Sequence, residues 1–245
     1  MIEPGSGSSR KVRELLPCVL PQAYLPIDIS RTYLYQAATQ LAAEFSWLEV
    51  HALCADYTQP LELPPTAVGA ARLAFFPGST IGNFDPVEAV AFLKNMRRMV
   101  GAGGGLIIGV DLKKDKAILD AAYNDAQGLT AAFNLNLLTR IARELDTRID
   151  PAGFRHHAEF SESHSRIEIH LVSNRDQVVT VAGKRFAFKR DERLHTENSY
   201  KYSIDGFQAL GQRAGFDPVA AWTDERQLFS VHYFKAAPGA NTVLV

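Results

Sequence analysis

The sequence predicts an α/β fold, a mainly parallel β-sheet covered by helices, and three observations support it. The front of the chain alternates short apolar strands with helical segments as far as Gly103–Asp111. A glycine-spaced loop containing Gly5 and Gly7 separates the first strand from the first helix. The chain closes with two neighbouring strands, which is typical of an antiparallel hairpin. Apolar strands that alternate with helices indicate a sheet that is buried on both faces.

Composition and charge indicate a globular chain without a polyanionic partner. Of the 245 residues, 47% are hydrophobic, and 26 basic against 27 acidic residues leave a formal net charge of -1. Balanced charge argues against a nucleic-acid footprint, and no apolar run reaches the roughly 18 residues of a membrane span. Two cysteines, Cys18 and Cys54, form neither a metal-binding spacing nor a disulfide framework. We therefore expect a cytoplasmic protein with no metal site and no nucleic-acid or membrane partner.

The segment Glu3–Lys11 is the first sign of a nucleotide-type cofactor. An acid precedes Gly5 and Gly7, and a helical pattern begins near Lys11. Glycine allows positive φ and close approach of the backbone to a ligand, and the N–H groups at a helix start favour an anionic group. The third glycine of a G-x-G-x-x-G motif is absent, so a plain tight turn explains the loop equally well.

Acidic residues also end the next two predicted strands. Asp28 lies 23 residues after Gly5, close to the spacing of about 20 at which a carboxylate meets a cofactor ribose. A helix N-cap or turn acid is an equally good interpretation of Asp28 in isolation. Asp56 and Tyr57 follow the predicted third strand, Trp47–Cys54.

A polar loop with two glycines follows the apolar strand Ala74–Phe76. This loop, Pro77–Phe84, contains Gly78 and Asn83 and leads into a helix that Asp85 is expected to cap. Loops at the carboxyl ends of parallel strands are where such folds bind ligands.

The alternation of strand and helix ends after Asp111. Lys116–Leu145 is predicted to be mostly helical, and a period-two pattern from Arg166 indicates an antiparallel meander. The predicted organisation is a cofactor-binding domain of residues 1–128 and 201–236, an inserted α+β substrate lobe of residues 129–200, and a frayed tail of residues 237–245.

A sheet of this kind, with a closing hairpin, resembles the class I (Rossmann-like) S-adenosylmethionine-dependent methyltransferases. Longer runs are similar to the histidine-specific members that make trimethylhistidine (hercynine) for ergothioneine synthesis. These runs are Phe75–Phe84, Ala122–Ala126 with Phe133–Leu137, and His195–Tyr202. The resemblance extends from Ile2 to about Phe234. It implies an enzyme that transfers methyl groups from S-adenosylmethionine to the α-amine of L-histidine, up to three times.

On the cofactor side, the resemblance implies five binding residues. Gly5, with its loop, and Lys11 would hold the methionine part of S-adenosylmethionine. Asp28 would bind the ribose hydroxyls, and Asp56 and Tyr57 the adenine.

On the substrate side, the resemblance implies a second set of residues. Gly78 and Asn83 would line the place of the amine, Tyr123 would bind the carboxylate, and Glu197 and Ser199 the imidazole. An imidazole edge has one donor and one acceptor, and Glu197 and Ser199 supply the complements from one face of an extended segment. The candidate catalytic residues are Asn83, Tyr123 and Glu197. Without the resemblance, a surface carboxylate and a tyrosine packed on the core would be the preferred interpretations.

The sequence departs from the family in lacking a substantial segment before the glycine loop, which includes tyrosines that contact the substrate. We therefore expect a first strand reduced to Ile2 and Glu3, with its two neighbours facing each other across a gap, and low stability or activity. His156, His157 and His195 are interpreted as structural or exposed. We expect a monomer. Two alternatives stay open: a methyltransferase for another small amine, and a silent remnant that binds only cofactor or a partner.

Overall fold

The computed structural model describes residues 1–64, 71–145, 147 and 149–238, and these form two compact units. The main unit comprises Met1–Ile81, Pro86–Leu112 and the chain from Tyr202 on. The inserted unit comprises Gly82–Asp85 and Lys113–Lys201. No helix in the described ranges combines the length and the apolarity needed to cross a membrane. From residue 239 on, the predicted tail lies outside the described residues.

The helices and strands below are numbered in chain order. They are β1 (Ile2–Pro4), α1 (Arg10–Val19), β2 (Ala23–Asp28), α2 (Arg31–Glu44), β3 (Glu49–Val50), β4 (Leu53–Cys54), β5 (Leu73–Phe76), α3 (Pro86–Val100), β6 (Gly105–Asp111), α4 (Lys116–Tyr123), α5 (Leu129–Glu144), β7 (Phe154–Ser161), β8 (Arg166–Ser173), β9 (Gln177–Val181), β10 (Lys184–Phe188), β11 (Arg193–Tyr200), α6 (Ile204–Arg213), β12 (Phe216–Thr223) and β13 (Phe229–Ala236).

The main unit is built on one sheet with the strand order β12-β13-β6-β5-β1-β2-β3, and β4 also pairs with β2. Strands β1, β2, β5 and β6 are parallel, whereas β13 runs antiparallel to both β6 and β12. The α/β sheet with a closing antiparallel hairpin is therefore confirmed. The predicted strand Trp47–Cys54 is divided into β3 and β4, because the two pieces pair with opposite ends of β2.

The central strand β1 has only three residues, yet it is paired on both sides. Ile2 is in register with Leu25 of β2 and with Ala74 of β5, and the N–H of Gly5 continues the ladder to the carbonyl of Ile27 at 2.7 Å. The expected gap between the neighbouring strands is therefore wrong. Because the neighbouring strand β5 is itself only four residues long, the three residues of β1 are enough to connect β2 and β5.

A buried apolar cluster packs the first two helices against this sheet. Its buried members are Val12, Leu16, Tyr24, Leu41, Leu48 and Phe75. Burial of a large apolar side chain stabilises a fold by about 1.5–3 kcal/mol. The cluster thereby holds helix α1, and with it the glycine loop that precedes α1, against strands β1 and β2.

The inserted unit contains a three-stranded antiparallel sheet of order β11-β8-β7, a β9-β10 hairpin, and helices α4 and α5. The sequence pattern starts this lobe at residue 129, whereas the inserted unit already includes α4. Leu119 of α4 is buried in a cluster with Ala158, Ile167 and Ile169 of β7 and β8. Strand β7 is not predicted from the sequence, because its central residues are polar and break the apolar alternation.

The chain leaves and re-enters the main unit at adjacent points. Leu112 and Tyr202 form a parallel bridge, and the N–H of Tyr202 donates to the carbonyl of Asp111 at 3.1 Å. The segment between them, Lys113–Lys201, is therefore an insertion whose ends are tied together by backbone hydrogen bonding.

Candidate active site

The loop between β1 and α1 has two glycines with left-handed backbone conformations. Gly5 has φ +66°, and a Cβ placed on it would lie 3.2 Å from Cε1 of Tyr57. Gly7 has φ +51°, and a Cβ there would meet nothing within 4 Å. Glycine is therefore favoured at position 5 both by the backbone conformation and by the tyrosine ring beside it, and at position 7 by conformation alone.

Asp28, at the end of β2, is bound to this loop. Its Oδ2 accepts a hydrogen bond of 3.1 Å from the N–H of Gly7, and its Oδ1 accepts one of 2.9 Å from the N–H of Ser30. Asp28 therefore lies against the glycine loop, as residues that share one cofactor must. The interpretation of Asp28 as a turn acid also describes its second hydrogen bond, so the two interpretations are compatible.

Glu3, just before the glycine loop, is a buried acid that is not among the predicted site residues. It is 3% exposed and accepts a hydrogen bond from the hydroxyl of Tyr24, whose oxygen lies 3.2 Å from Oγ of Ser9. Burial raises the pKa of Glu3 to about 7, although the Tyr24 hydrogen bond and the charge of Lys11 act in the opposite direction. The signal that could have identified Glu3 is an acid directly before a glycine loop.

A cavity of about 360 Å³ lies beside the loop in the main unit. It is lined by residues 3–8, Arg10, Lys11, residues 76–78 and Thr80. Three of the predicted site residues, Gly5, Lys11 and Gly78, are therefore brought together around it. Oγ of Ser6, in the same lining, is buried and has no hydrogen-bond partner within the described part of the chain.

Asp56 and Tyr57 are placed differently from each other. Asp56 is exposed, and its Oδ1 accepts hydrogen bonds from the N–H of Thr58 at 2.9 Å and from its hydroxyl at 2.7 Å. Hydrogen bonds from Thr58, chiefly from its side chain, lower the pKa of Asp56. The ring of Tyr57 is half-buried and packs edge-on against Phe76 and Phe92. Neither residue is part of the cavity lining.

In the inserted unit, Tyr123, Ser199 and Lys201 form a hydrogen-bonded cluster. The hydroxyl oxygens of Tyr123 and Ser199 are 2.8 Å apart. Nζ of Lys201 donates to Oη of Tyr123 at 2.7 Å and to Oγ of Ser199 at 2.9 Å. The ring of Tyr123 also packs against the apolar cluster around Leu119, so the core-packing interpretation is correct for its ring, while its hydroxyl belongs to the polar cluster.

Glu197 and Ser199 lie two residues apart on β11, opposite Ile169 and Ile167. Burial raises the pKa of Glu197, and a hydrogen bond from Asn83 and the charge of Lys201 oppose this rise. Glu197 is therefore a half-buried acceptor rather than the surface carboxylate of the alternative interpretation.

Gly82 allows Asn83 to approach β11. A Cβ on Gly82 would lie 2.8 Å from the carbonyl oxygen of Tyr200, which is closer than real contacts permit. The glycine therefore brings the backbone of residues 82–85 against β11, and the next residue, Asn83, reaches Glu197. Asn83, Tyr123, Glu197 and Ser199 are thus brought together within the inserted unit.

Two histidines of this unit, His156 and His195, form hydrogen bonds with other residues of the same unit. Nε2 of His156 donates to the carbonyl oxygen of Tyr123 at 2.8 Å, and its Nδ1 accepts from the side-chain amide of Asn134 at 3.1 Å. His195 is exposed and bonded to Asn198 at 2.8 Å. These contacts agree with the interpretation of His156 as structural and of His195 as exposed, and they show that His156 holds the end of α4, where Tyr123 lies.

The profile of one protein family, the histidine-specific, S-adenosylmethionine-dependent methyltransferases, matches residues 1–236. The chain belongs to this family. As a member of it, this methyltransferase is an enzyme that uses S-adenosylmethionine to methylate histidine. Its inserted unit holds the predicted imidazole-binding pair, and its main unit holds the glycine loop.

Individual proteins are similar to this methyltransferase over most of its length. A histidine N-alpha-methyltransferase of Mycobacterium tuberculosis is 36% identical over 231 residues, which are 92% of this chain and 71% of that protein. Ergothioneine biosynthesis protein 1 of Neurospora crassa is 30% identical over 91% of this chain and 26% of its own. A solved S-adenosylmethionine-dependent methyltransferase from Clostridium acetobutylicum has a TM-score of 0.53 at 12% identity, covering 96% of this chain and 83% of that one, and supports the fold alone.

The main-unit cavity fits the cofactor that this methyltransferase uses. A volume of about 360 Å³ lies within the range of about 300–1,000 Å³ that is usual for small-molecule sites. Gly5 leaves room where a Cβ would crowd Tyr57, and the hydroxyl of Ser6, which has no partner among the described residues, offers a further polar contact. Lys11 supplies a positive charge at the same cavity.

Proposed function

We propose that this methyltransferase acts on the α-amine of L-histidine and methylates it up to three times, giving trimethylhistidine (hercynine). The observation that carries the proposal is the pair Glu197 and Ser199, which lie on the same face of β11 and offer a carboxylate acceptor beside a hydroxyl. That combination complements the donor and the acceptor of one imidazole ring. The name of the relative from Mycobacterium tuberculosis, a histidine N-alpha-methyltransferase, supports the substrate and the position of the methyl group. The name of the relative from Neurospora crassa supports a place in ergothioneine biosynthesis.

In this proposal the inserted unit recognises the substrate. Glu197 accepts the imidazole N–H, Ser199 binds the other ring nitrogen, and Tyr123 binds the α-carboxylate. Asn83, which donates to Glu197, lines the place of the amine. A buried polar group left without a partner costs about 1–3 kcal/mol, so a substrate that lacks one of these groups is disfavoured.

The main unit is proposed to hold S-adenosylmethionine, which supplies an electrophilic methyl carbon when it is bound. Gly5 with its loop and Lys11 take the methionine part, and Asp28 the ribose hydroxyls. Asp56 and Tyr57 take the adenine. The side chain of Asp28 is already held by Gly7 and Ser30, so little ordering remains to be done on binding.

The contribution of the protein to the reaction is proposed to be positioning. Methyl transfer is an in-line displacement, and correct alignment of the two reacting atoms can account for several kcal/mol of the barrier. Asn83, Tyr123 and Glu197 are the candidate catalytic residues because they would fix the amino acid from three directions. The amine must lose a proton before it attacks the methyl carbon.

The test is to incubate the protein with S-adenosylmethionine and L-histidine and to follow the products by mass spectrometry. We expect three successive single-methyl additions with histidine and none with Nα-acetylhistidine, in which the amine is blocked. Methylation of the blocked compound would place the reaction on the ring and contradict the proposal. Turnover of another amino acid instead of histidine would favour the rival amine, and cofactor binding without any turnover would favour a silent remnant.

We also propose a cytoplasmic monomer whose partners are small molecules only. The balanced net charge of -1 supports the absence of a nucleic-acid partner. Sedimentation equilibrium checks the oligomeric state, and a mass twice that of the chain would contradict it.

A further inference from the structure

Lys201 is a buried cation next to the residues that are proposed to bind the substrate. It is 2% exposed, which is rare for lysine unless it is paired. Its Nζ is within hydrogen-bond distance of both Tyr123 and Ser199, and it lies 4.7 Å from the centre of the Tyr123 ring. Removing an ammonium group from water is costly, and these specific contacts offset part of that cost.

Counting donors shows what this ammonium group does to the two hydroxyls. A lysine ammonium has three donors and no acceptor, whereas each hydroxyl has one donor and two acceptor sites. Lys201 therefore fills one acceptor site on Oη of Tyr123 and one on Oγ of Ser199. Without a substrate, the 2.8 Å contact between the two oxygens uses one hydroxyl hydrogen. When this hydrogen turns toward a ligand, both oxygens remain hydrogen-bonded to Lys201.

We propose that Lys201 is a positioning residue that makes Tyr123 and Ser199 act as donors to the substrate. Because Lys201 keeps both oxygens paired, Tyr123 can donate to the α-carboxylate and Ser199 to the unprotonated ring nitrogen at the same time. Glu197, on the same strand as Ser199, accepts from the ring N–H. The site thereby selects a ring with one acceptor and one donor in a fixed order. This inference rests on the proposed function, because it assumes histidine as the ligand.

The test is a double-mutant cycle on histidine binding, measured by calorimetry on protein saturated with S-adenosylhomocysteine. Lys201→Met removes the donors and keeps an apolar chain of similar length, and Ser199→Ala removes one of the hydroxyls through which Lys201 is proposed to act. We expect each single variant to weaken histidine binding roughly tenfold, as the loss of one hydrogen bond does. The double variant should bind histidine at most about threefold less tightly than whichever single variant has the lower affinity. The reason is that the two residues act as a unit.

Steady-state kinetics add a second readout. Lys201→Met should raise KM for histidine about tenfold while kcat changes less than about threefold, since the lost interaction serves binding. Lys184→Met is the matched control, because it removes an exposed lysine from the same unit and should leave histidine affinity unchanged. Additive losses of roughly a hundredfold in the double variant, or unchanged affinity in Lys201→Met, would overturn the proposal.

Folding is checked with a second substitution. Lys201→Gln keeps two N–H donors without the charge and should bind histidine with an affinity between those of the wild type and Lys201→Met. If both variants fail to fold, Lys201 has a structural role and the proposal is wrong. Histidine methylation by the wild-type protein is measured first and tests the proposed function independently. Normal wild-type turnover together with an unaffected Lys201→Met would therefore remove only the inference about Lys201.

Discussion

The backbone N–H of Gly7 donates a hydrogen bond of 3.1 Å to Oδ2 of Asp28. The bond joins the turn after β1 to the end of β2, 21 positions later in the sequence. Because Oδ1 of the same carboxylate accepts from Ser30, the orientation of Asp28 is set from two sides by the protein itself. The carboxylate therefore both stabilises the glycine loop and is positioned by it.

Asp28→Asn should weaken S-adenosylmethionine binding. Asparagine keeps the shape of the side chain but replaces one acceptor oxygen with a donor group, so one of the acceptors proposed for the ribose hydroxyls is lost. Loss of a hydrogen bond to a charged group costs about 1.5–3 kcal/mol, so we expect an increase of roughly 10–100-fold in the cofactor Kd measured by calorimetry. The control is Asp224→Asn, which removes an aspartate that also binds backbone N–H groups, but in the β12–β13 hairpin. Equal effects of both substitutions on cofactor binding would contradict the role of Asp28.

Gly5→Ala should destabilise the protein more than Gly7→Ala does. Both substitutions place alanine at positive φ, which costs about 1–2 kcal/mol. Only at Gly5 does the new Cβ also approach the Tyr57 ring, at 3.2 Å, and overpacking adds about 1–3 kcal/mol. Urea unfolding of the ligand-free variants measures the difference in free energy of unfolding. Identical losses would mean that the contact with Tyr57 relaxes without cost.

Glu197→Gln should affect the amino-acid substrate and leave the cofactor unaffected. The variant loses the charged acceptor that is proposed to bind the imidazole N–H, so KM for histidine should rise roughly tenfold or more. The Kd of S-adenosylmethionine should stay within about twofold, because the residue belongs to the inserted unit. Glu162→Gln, at an exposed position of the same unit, serves as the matched control. A parallel loss of affinity for both ligands would indicate misfolding.

Stability should fall as the pH is lowered from about 6.5 to about 4, in part because of His232. This side chain is fully buried, its Nε2 lies 2.9 Å from Oγ of Ser230, and burial lowers its pKa to about 4. The unfolded chain therefore binds a proton below pH ~6.5 that the folded protein takes up only near pH 4. Across this window the free energy of unfolding falls by at most about 3 kcal/mol.

His232→Phe should reduce this pH dependence. The ring of His232 already stacks on Phe234, with centroids 5.8 Å apart, and lies against Phe207, so an aromatic replacement suits the site. Melting temperatures at several pH values between 4 and 7 measure the effect. The control is His51→Gln, at a partly exposed position of the same unit, which should keep the wild-type slope. An unchanged slope in His232→Phe would assign the acid sensitivity to other groups.

The sequence predicted those features whose signal is periodic or local. The glycine loop, the acid of Asp28 and the alternation of Glu197 with Ser199 are such features, and the structure brings them into the expected elements. Lys201 was not predicted, although it continues the same alternation by two residues. A lysine is ordinarily a solvated residue, and only the packing of α4 against the inserted sheet shows that this one is buried.

Strand β7 and the paired state of β1 were not predicted for a related reason. Strand β7 pairs with β8 along its whole length. Its sequence lacks apolar alternation, and it is a strand because of this cross-strand hydrogen bonding. Strand β1 is short by any local measure, and its stability comes from two neighbours that are far away in the sequence. Both features depend on tertiary pairing, which a local sequence pattern does not reveal.

The bridge between Leu112 and Tyr202 has a consequence for how such enzymes can diversify. Two ends that are fixed side by side allow the intervening segment to be exchanged as a cassette while the sheet of the main unit keeps its own register. The four residues Gly82–Asp85 would be transplanted with it, because they belong to the same unit. If the inserted unit recognises the amino acid, as proposed, recombination at two junctions and one short loop is a route to new acceptors, by evolution or in the laboratory.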